Sequence, residues 1–231
     1  MKHALLSLTL CSLLGCATES PSEARTTVDA QGTPHCTATQ TRSCYERAQR
    51  ALERDDFERA NLFFKRACAS DEARGCFELG HSYNQGRGVQ PDLKSAAELW
   101  GAACSARVYQ ACNDLGTLKL NTQDIAQRLQ AKGHFRSACK GGVLLGCHNL
   151  AVMYDQALAG ERDVGMANKL FKIACERGLP QSCHNLGVEH QRINNLDAAM
   201  ICFERGCKGG YDQSCQALDI VRRTAYSPKT P

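Results

Sequence analysis

Apolar positions recur along this chain with the period of a helix. A small residue, an aromatic residue and a cysteine follow one another at intervals of four, and residues i, i+4 and i+8 share one helix face. The five triplets are Ala60/Phe64/Cys68, Ala96/Trp100/Cys104, Ala131/Phe135/Cys139, Ala167/Phe171/Cys175 and Ala199/Phe203/Cys207. Each triplet predicts a buried stripe, and the pairing of small with bulky side chains favours close packing between helices.

A second pattern follows a second set of cysteines. Eight positions after the first cysteine comes another, then a leucine three residues on, usually followed by a small residue. The leucine positions are Leu79-Gly80, Leu115-Gly116, Leu150-Ala151, Leu186-Gly187 and Leu218-Asp219, where Asp219 breaks the rule. Glycine inside a helix costs about 1 kcal/mol relative to alanine, so its recurrence predicts that a neighbouring helix approaches closely there.

The two patterns define a repeated unit. Successive first cysteines are 32, 36, 35, 36 and 32 residues apart, which is typical of a repeat protein. Each unit predicts a helix A, a loop and a helix B. The clearest loop is 83–92, where Gly86 and Gly88 end one helix and Pro91-Asp92 precede the next. No segment has the alternation typical of a strand, so we predict an all-α fold.

One unit resembles a known family. Leu79-Gly80, Tyr83, the Gly-x-Gly-Val stretch at 86–89 and Ala96-x-x-x-Trp100 are similar to the Sel-like repeat, a relative of the tetratricopeptide repeat. The Cys-x7-Cys addition resembles its secreted, cysteine-rich bacterial subfamily. The resemblance covers about residues 36–219 and implies a right-handed α/α superhelical solenoid of about five disulfide-stapled helix pairs with a concave surface. The first unit departs from the pattern, because Arg47 replaces the leucine, and we expect an N-terminal cap.

The paired cysteines are expected to form disulfides. The first of each pair falls in the last turn of helix B and the second falls early in the next helix A, so a short antiparallel connection brings them together. The predicted bridges are Cys36–Cys44, Cys68–Cys76, Cys104–Cys112, Cys139–Cys147, Cys175–Cys183 and Cys207–Cys215. Each loop is worth about 2.5 kcal/mol in the chain-entropy model. The spacing does not match a zinc or haem motif, so we predict no metal and no cofactor. Cys202 is left over and is expected to be a buried, unreactive thiol.

The N-terminus is typical of a secretory signal. A short positive region precedes an apolar run from Ala4 to Leu14 that is too short to span a bilayer. The run leads into Leu13-Leu14-Gly15-Cys16, which resembles a bacterial lipobox and implies that Cys16 carries a lipid. A signal peptide that is cleaved nearby without lipidation is the alternative.

We therefore divide the chain into four segments. Residues 1–15 are predicted to be the lipoprotein signal peptide, and residues 16–35 the lipidated cysteine and a flexible tether, since this stretch lacks large apolar side chains. Residues 36–219 form the repeat solenoid, and residues 220–231 a C-terminal tail. The 15 cysteines favour an oxidising compartment. We expect an outer-membrane lipoprotein of the bacterial cell envelope, facing the periplasm or the cell surface.

Charge excludes one class of partner and leaves others open. The net charge of +4 comes from interleaved acidic and basic residues without a Lys/Arg block, so nucleic acid is not expected as a partner. We predict a monomeric scaffold whose concave face binds a protein, a peptide or a peptidoglycan fragment. The candidate binding residues are Asn113, His148, Asn149, Tyr154, His184 and Asn185. The alternative is that these side chains only solvate the surface.

An enzymatic function is the competing hypothesis. Cysteine-rich members of the resembled subfamily are described as penicillin-binding proteins or weak β-lactamases. Ser137-Ala-Cys-Lys140 matches the Ser-x-x-Lys element of that chemistry, but Ser-Asp-Asn is absent and Lys229-Thr230 is followed by proline. His-Glu-x-x-His and Gly-x-Ser-x-Gly are also absent from the sequence. We therefore assign no catalytic residue.

Overall fold

The computed structural model describes residues 41–226, and within this range the chain forms eleven helices and no strand. The helices are α1 Thr41–Leu52, α2 Phe57–Ala69, α3 Ala73–Gln85, α4 Leu93–Ser105, α5 Tyr109–Leu120, α6 Ile125–Lys140, α7 Leu144–Asp155, α8 Val164–Glu176, α9 Pro180–Arg192, α10 Leu196–Lys208 and α11 Asp212–Tyr226. None of these helices is long and apolar enough to cross a membrane. The all-α prediction is confirmed.

The helices pack in the order in which they occur in the chain. Each contacts the next, and α5 also contacts α7 while α9 contacts α11. Side-chain contacts link each odd-numbered helix to the next odd-numbered helix. The odd-numbered helices therefore form one continuous layer, which we call the odd-helix layer, and the even-numbered helices flank it. This is the α/α solenoid that the repeated unit predicts, with helix A in the odd-helix layer and helix B outside it.

The recurring glycines lie where the two layers touch. A Cβ atom built on Gly80 would lie 2.6 Å from Trp100 Cδ1, and one built on Gly187 would lie 2.6 Å from Phe203 Cε1. The aromatic rings of Trp100 on α4 and Phe203 on α10 thus rest directly on the backbones of α3 and α9. Asp219 occupies the same repeat position on α11, where it is exposed and where no described helix follows. A small residue is not needed there.

Disulfides join consecutive units. The bonded pairs are Cys68–Cys76, Cys104–Cys112, Cys139–Cys147, Cys175–Cys183 and Cys207–Cys215. Cys44 is also disulfide-bonded, and its predicted partner Cys36 lies outside the described residues. Cys202 is a free thiol and is buried, as expected, in the core cluster that contains Phe171. Burial raises the pKa of the Cys202 thiol.

The loop from Tyr83 to Asp92 follows the prediction closely. Gly86 has a left-handed φ of 69° and ends α3 by donating its backbone N–H to the carbonyl of Ser82. Asp92 caps α4, since its carboxylate accepts the backbone N–H groups of Lys94 and Ser95. The Ser95 hydroxyl also donates a hydrogen bond to this carboxylate. That bond is the main reason why the pKa of Asp92 is lowered, and the two backbone bonds add to the effect.

The described structure begins at Thr41 and ends with α11 at Tyr226. The predicted signal peptide, the lipidation site Cys16, the tether and the last residues, 227–231, lie outside the described residues. At the C-terminal side, α11 continues past the predicted solenoid boundary at 219 to Tyr226. It does so because Val221 is buried against Phe203 and Leu218, which extends the hydrophobic core beyond that boundary.

Candidate binding groove of the odd-helix layer

All six predicted binding residues lie on odd-numbered helices. Asn113 is on α5, and His148, Asn149 and Tyr154 are on α7. His184 and Asn185 are on α9. The structure nevertheless gives them three different surroundings, and Asn185 is the one of the six that lines the pocket described below.

The two histidines link consecutive odd helices by hydrogen bonds. His148 Nδ1 lies 2.9 Å from the hydroxyl of Ser182 on α9, and His184 Nδ1 lies 3.3 Å from the hydroxyl of Ser214 on α11. Both serines are fully buried. Each hydroxyl therefore has its hydrogen-bond partner in the preceding unit, and the contact fixes the spacing of the odd-helix layer.

Each histidine also rests against the aromatic residue of the even helix between those units. The ring centroids of His148 and Phe171 are 5.5 Å apart, as are those of His184 and Phe203. Burial lowers the pKa of both imidazoles, because it disfavours the charged form. These histidines are therefore neutral parts of the packing between units.

A hydrogen bond joins the side-chain amides of Asn113 and Asn149. Asn149 Nδ2 donates to Asn113 Oδ1 at 3.0 Å, which links α7 to α5. Asn113 Nδ2 in turn donates to Asp114 Oδ1 at 3.1 Å, and His81 Nε2 on α3 lies 3.2 Å from the other carboxylate oxygen of Asp114. Three odd helices are thus connected by one chain of polar contacts.

Tyr154 faces the even helix α6 instead of α9. Its hydroxyl accepts a hydrogen bond from Arg136 Nη2 at 3.3 Å. Lys132 Nζ lies 3.9 Å from the centre of the Tyr154 ring, a cation–π contact. The structure therefore separates Tyr154 from Asn185.

Asn185 lines a pocket between α7 and α9. The pocket has a volume of about 120 Å³ and is bounded by three helices, with α8 beneath the other two. Its lining residues are Val152, Asp155, Gln156, Asn168, Phe171, Asn185, Val188 and Glu189. Phe171 is 3% exposed and belongs to the hydrophobic core. We call this site the α7–α9 pocket.

Three side-chain amides in the pocket have no hydrogen-bond partner in the part of the chain that the structure describes. Gln156, Asn168 and Asn185 make no side-chain hydrogen bond with any described residue. Each amide carries two N–H donors and a carbonyl acceptor. The α7–α9 pocket therefore presents donors and acceptors to an external group.

The acidic residues of the pocket are neutralised by arginines. Asp155 Oδ1 lies 2.7 Å from Arg162 Nη2, and Glu189 Oε1 lies 2.6 Å from Arg192 Nη2. The hydrogen bond from Arg192 lowers the pKa of Glu189, with the charges of Arg192 and Arg162 adding to the effect. The rim of the pocket consequently carries paired charges of both signs.

The sequence analysis missed two of the three pocket amides. Gln156 lies just after the end of α7, and Asn168 lies on α8, outside the column of residues that follows the second cysteine. At the position of Asn168, three residues before the aromatic residue, the other units carry Asn61, Ala97, Lys132 and Met200. Because asparagine recurs there, a comparison between units does not single out Asn168.

The serine of the Ser-x-x-Lys match lies on the surface of α6. Ser137 is exposed, and its hydroxyl donates to the carbonyl oxygen of Gly133 at 3.2 Å. Lys140, at the end of the same helix, is also exposed. Among the described residues, no group of three or more His, Cys, Asp or Glu side chains could hold a metal ion.

The fold and the disulfides define a helical repeat scaffold with cross-linked units. The model of the Sel1 repeat matches residues 43–72, 73–107, 144–179 and 180–211, which together exceed half of the chain. The protein belongs to the Sel1 repeat family. The segment from 108 to 143, between the matched stretches, contains the loop in which Asn121 and Thr122 replace the glycine-rich stretch found one unit earlier, at 86–88.

Curated relatives match over part of their length. Cytochrome c oxidase assembly factor 7 of Xenopus tropicalis is 30% identical over 121 residues, which cover 48% of this chain and 52% of that protein. Beta-lactamase HcpA of Helicobacter pylori is 40% identical over 48 residues, which cover 21% of this chain and 19% of that protein. The chain thus spans about half the length of the first relative and a much smaller part of the second.

Solved structures share the fold. A Sel1 repeat protein from Oxalobacter formigenes superposes with a TM-score of 0.67 at 20% identity, covering 75% of this chain and 74% of its own. A protective antigen of uropathogenic Escherichia coli with the same repeat fold gives a TM-score of 0.70 at 21% identity, covering 83% of this chain and 45% of its own. Both similarities establish the solenoid.

Proposed function

We propose that this Sel1 repeat protein is an exported, lipid-anchored scaffold that binds a segment of a protein partner in the α7–α9 pocket. The observation that carries the proposal is the convergence of three unpaired amides, Gln156, Asn168 and Asn185, over the buried ring of Phe171. Repeat solenoids bind partners on the continuous surface that their stacked units provide. A pocket with an apolar floor and a few converging polar groups is the usual form of a binding site.

The disulfides support a location outside the cytoplasm. Five bonded pairs among the described residues are typical of an oxidising compartment, because cytosolic thiols are kept reduced. The similarity to Beta-lactamase HcpA of Helicobacter pylori agrees with export. Attachment to the outer membrane through Cys16 rests on the Leu13-Leu14-Gly15-Cys16 motif. Replacing Cys16 by serine should move the protein from the membrane fraction to the soluble fraction.

We do not propose β-lactam hydrolysis for this chain. The relative whose name includes that activity matches only 48 residues, and Ser137 donates its hydroxyl proton to a backbone carbonyl on an exposed surface. The pocket of about 120 Å³ is also smaller than the roughly 300–1,000 Å³ of sites that enclose drug-sized ligands. A protein, peptide or peptidoglycan segment that enters the pocket with a single group fits these dimensions better.

Capture of partners from a cell-envelope extract tests the proposal. Oxidised protein immobilised through its C-terminus is compared with N185L, which replaces one pocket amide, and with Q130L, which changes an exposed amide on α6. We expect a partner that the wild-type protein and Q130L retain and that N185L loses. Equal retention by all three proteins would refute the assignment of the site, provided that their thermal unfolding midpoints agree.

A further inference from the structure

We infer that the α7–α9 pocket accepts one uncharged aliphatic side chain from an extended peptide, whose main-chain amides bind to Gln156, Asn168 and Asn185. The inference rests on the proposed function and specifies the chemistry of the bound segment. Four properties of the pocket point to this ligand: its size, its apolar surfaces, its unpaired amides and its neutral rim.

The size of the pocket limits the ligand to one side chain. At about 120 Å³, the pocket has room for a valine, leucine or methionine side chain but not for an indole ring with its flanking chain. It also has an open side, because Val188 on its wall is 46% exposed. A segment can therefore lie across the mouth and insert a single residue.

Apolar groups form the floor and two walls. Phe171 lies beneath the pocket, and Val152 and Val188 contribute from α7 and α9. Burying an aliphatic side chain against such a surface is favourable in proportion to the apolar area that is removed from water. A polar side chain would gain little from this part of the site.

The amides around that surface match a peptide main chain. Each offers donors and an acceptor, and a peptide unit offers one donor and one acceptor in a plane. Extended segments expose these groups to both sides, since they form no internal hydrogen bonds. Gln156, Asn168 and Asn185 come from three different elements and surround the pocket.

The rim selects against a charged side chain. The carboxylates of Asp155 and Glu189 already have guanidinium partners in Arg162 and Arg192. A lysine or aspartate side chain entering the pocket would lose its hydration without finding an unpaired counter-charge, and burying an unpaired charge is costly. Neutral side chains avoid this cost.

A set of model peptides tests the inference with the purified, oxidised full chain. The probes are acetyl-Gly-Gly-X-Gly-Gly-amide peptides in which X is Leu, Asp, Lys or Trp, and NMR titration follows the side-chain amide signals of Gln156, Asn168 and Asn185. We expect the Leu peptide to shift these three signals and to bind about tenfold more tightly than the Asp, Lys or Trp peptide, as the burial of one aliphatic side chain implies.

A charge introduced at the wall should change the preference. In V188K an ammonium group stands beside the mouth, at a position exposed enough to accept it. We expect V188K to lose affinity for the Leu peptide and to prefer the Asp peptide. The matched control is L129K, at an exposed leucine on α6, which should keep the wild-type order of affinities.

The outcomes separate the inference from the proposed function. If the Leu, Asp and Lys peptides bind alike, or if no pocket amide shifts, while N185L still loses its envelope partner, the inference is overturned and the proposed function stands. If the pocket amides shift only with a peptidoglycan fragment, the inference is overturned in favour of a cell-wall ligand. If neither peptides nor envelope partners respond to the pocket variants, both are refuted.

Discussion

The third residue after the first cysteine of each bonded pair adopts the left-handed backbone conformation. The values of φ are 62° at Asp71, 68° at Arg107, 89° at Gly142, 97° at Gly178 and 83° at Gly210. The next residue donates its N–H back to the even helix, as Val108 does to the carbonyl of Ala103. This hydrogen bond ends the helix in the manner of a Schellman motif. Two of the five units make this turn without glycine, at a cost in conformational energy.

Replacing Arg107 by glycine should stabilise the protein. Arg107 is exposed and its φ of 68° is one that glycine adopts without steric strain. We expect R107G to raise the free energy of unfolding by about 1 kcal/mol, measured by urea denaturation under non-reducing conditions. The matched control is G178A, which should lower it by a similar amount although no atom lies within 4 Å of the added Cβ. A neutral G178A would contradict the assigned conformation.

The partly buried histidines should make stability depend on pH. Burial lowers the pKa of His148 and His184 below the value of about 6.5 in the unfolded chain. Their contribution to the free energy of unfolding is therefore complete above that pH, and it falls as the pH drops through 6.5 towards the lower folded pKa, because the unfolded chain binds protons more readily. Glu189, whose pKa is lowered from 4.5, titrates below this window.

The double variant H148N/H184N tests this dependence. Asparagine occupies the equivalent position at Asn113, so the fold tolerates it. Urea denaturation between about pH 8 and pH 5 should show a loss of stability for the wild-type protein and a flatter profile for the variant. Equal slopes for the two proteins would mean that other groups determine the pH dependence.

At the scale of single residues, the sequence revealed the residue types at each position but not the residues that they contact. The positions of His148 and His184 were recognisable, yet their serine partners belong to the next unit and lie 34 and 30 positions away. A sequence signal for these partners does exist. One unit after each histidine, a serine stands immediately before the second cysteine, as in Ser182-Cys183 and Ser214-Cys215. Gln156 and Asn168 could not be placed, because the pocket depends on the angle between α7 and α9.

At the scale of helices, the contact between a glycine and an aromatic ring sets the packing distance. Gly116 faces the ring of Phe135 and Gly187 faces that of Phe203, with added Cβ atoms at 2.7 and 2.6 Å from the nearest ring carbon. Separations this short leave no room for a methyl group, so α5 and α9 lie directly on the rings that follow them. The helix pattern, the small residues and the loop at 86–92 were all predictable, since they are local in sequence.

A methyl group at Gly187 should therefore be costly. We expect G187A to lower the free energy of unfolding by about 1–3 kcal/mol, because the ring of Phe203 must move. Two controls isolate the cause. G133A, at an exposed helix position with no atom within 4 Å of the added Cβ, should raise it by about 0.5–1 kcal/mol.

The second control uses the repeat itself. D219A changes the same repeat position on α11, where the side chain is exposed, and should alter stability by no more than about 0.5 kcal/mol. A destabilised G133A together with a neutral G187A would contradict the packing of the two layers.

At the scale of the whole molecule, the disulfides connect units that otherwise contact only their neighbours. In a solenoid, stability is approximately a sum of repeat and interface terms, so a local opening at one interface is easily reached. A bridge across each connection limits that opening and preserves the groove between odd helices. The bridges were predictable from spacing alone, whereas the neutral character of the α7–α9 pocket was not, because it depends on pairs such as Glu189–Arg192.

Thiol labelling of the mature protein should find one reactive cysteine after unfolding. Cys202 is buried and its pKa is raised, so iodoacetamide should label it only in denaturant. Mass analysis without reductant should give the six predicted bridges. A second free thiol, apart from the modified Cys16, or a bridge between cysteines of different pairs would contradict the proposed connectivity.

The claim that the α7–α9 pocket holds a partner is tested most directly by photo-crosslinking in cells. A benzophenone amino acid is placed at Val188, on the wall of the pocket, or at Leu129, an equally exposed leucine on α6. We predict that position 188 forms a crosslink to an envelope protein, that N168L abolishes it, and that the linked peptide carries an aliphatic residue. Crosslinks from position 129 alone, or identical crosslinks from both positions, would contradict the account.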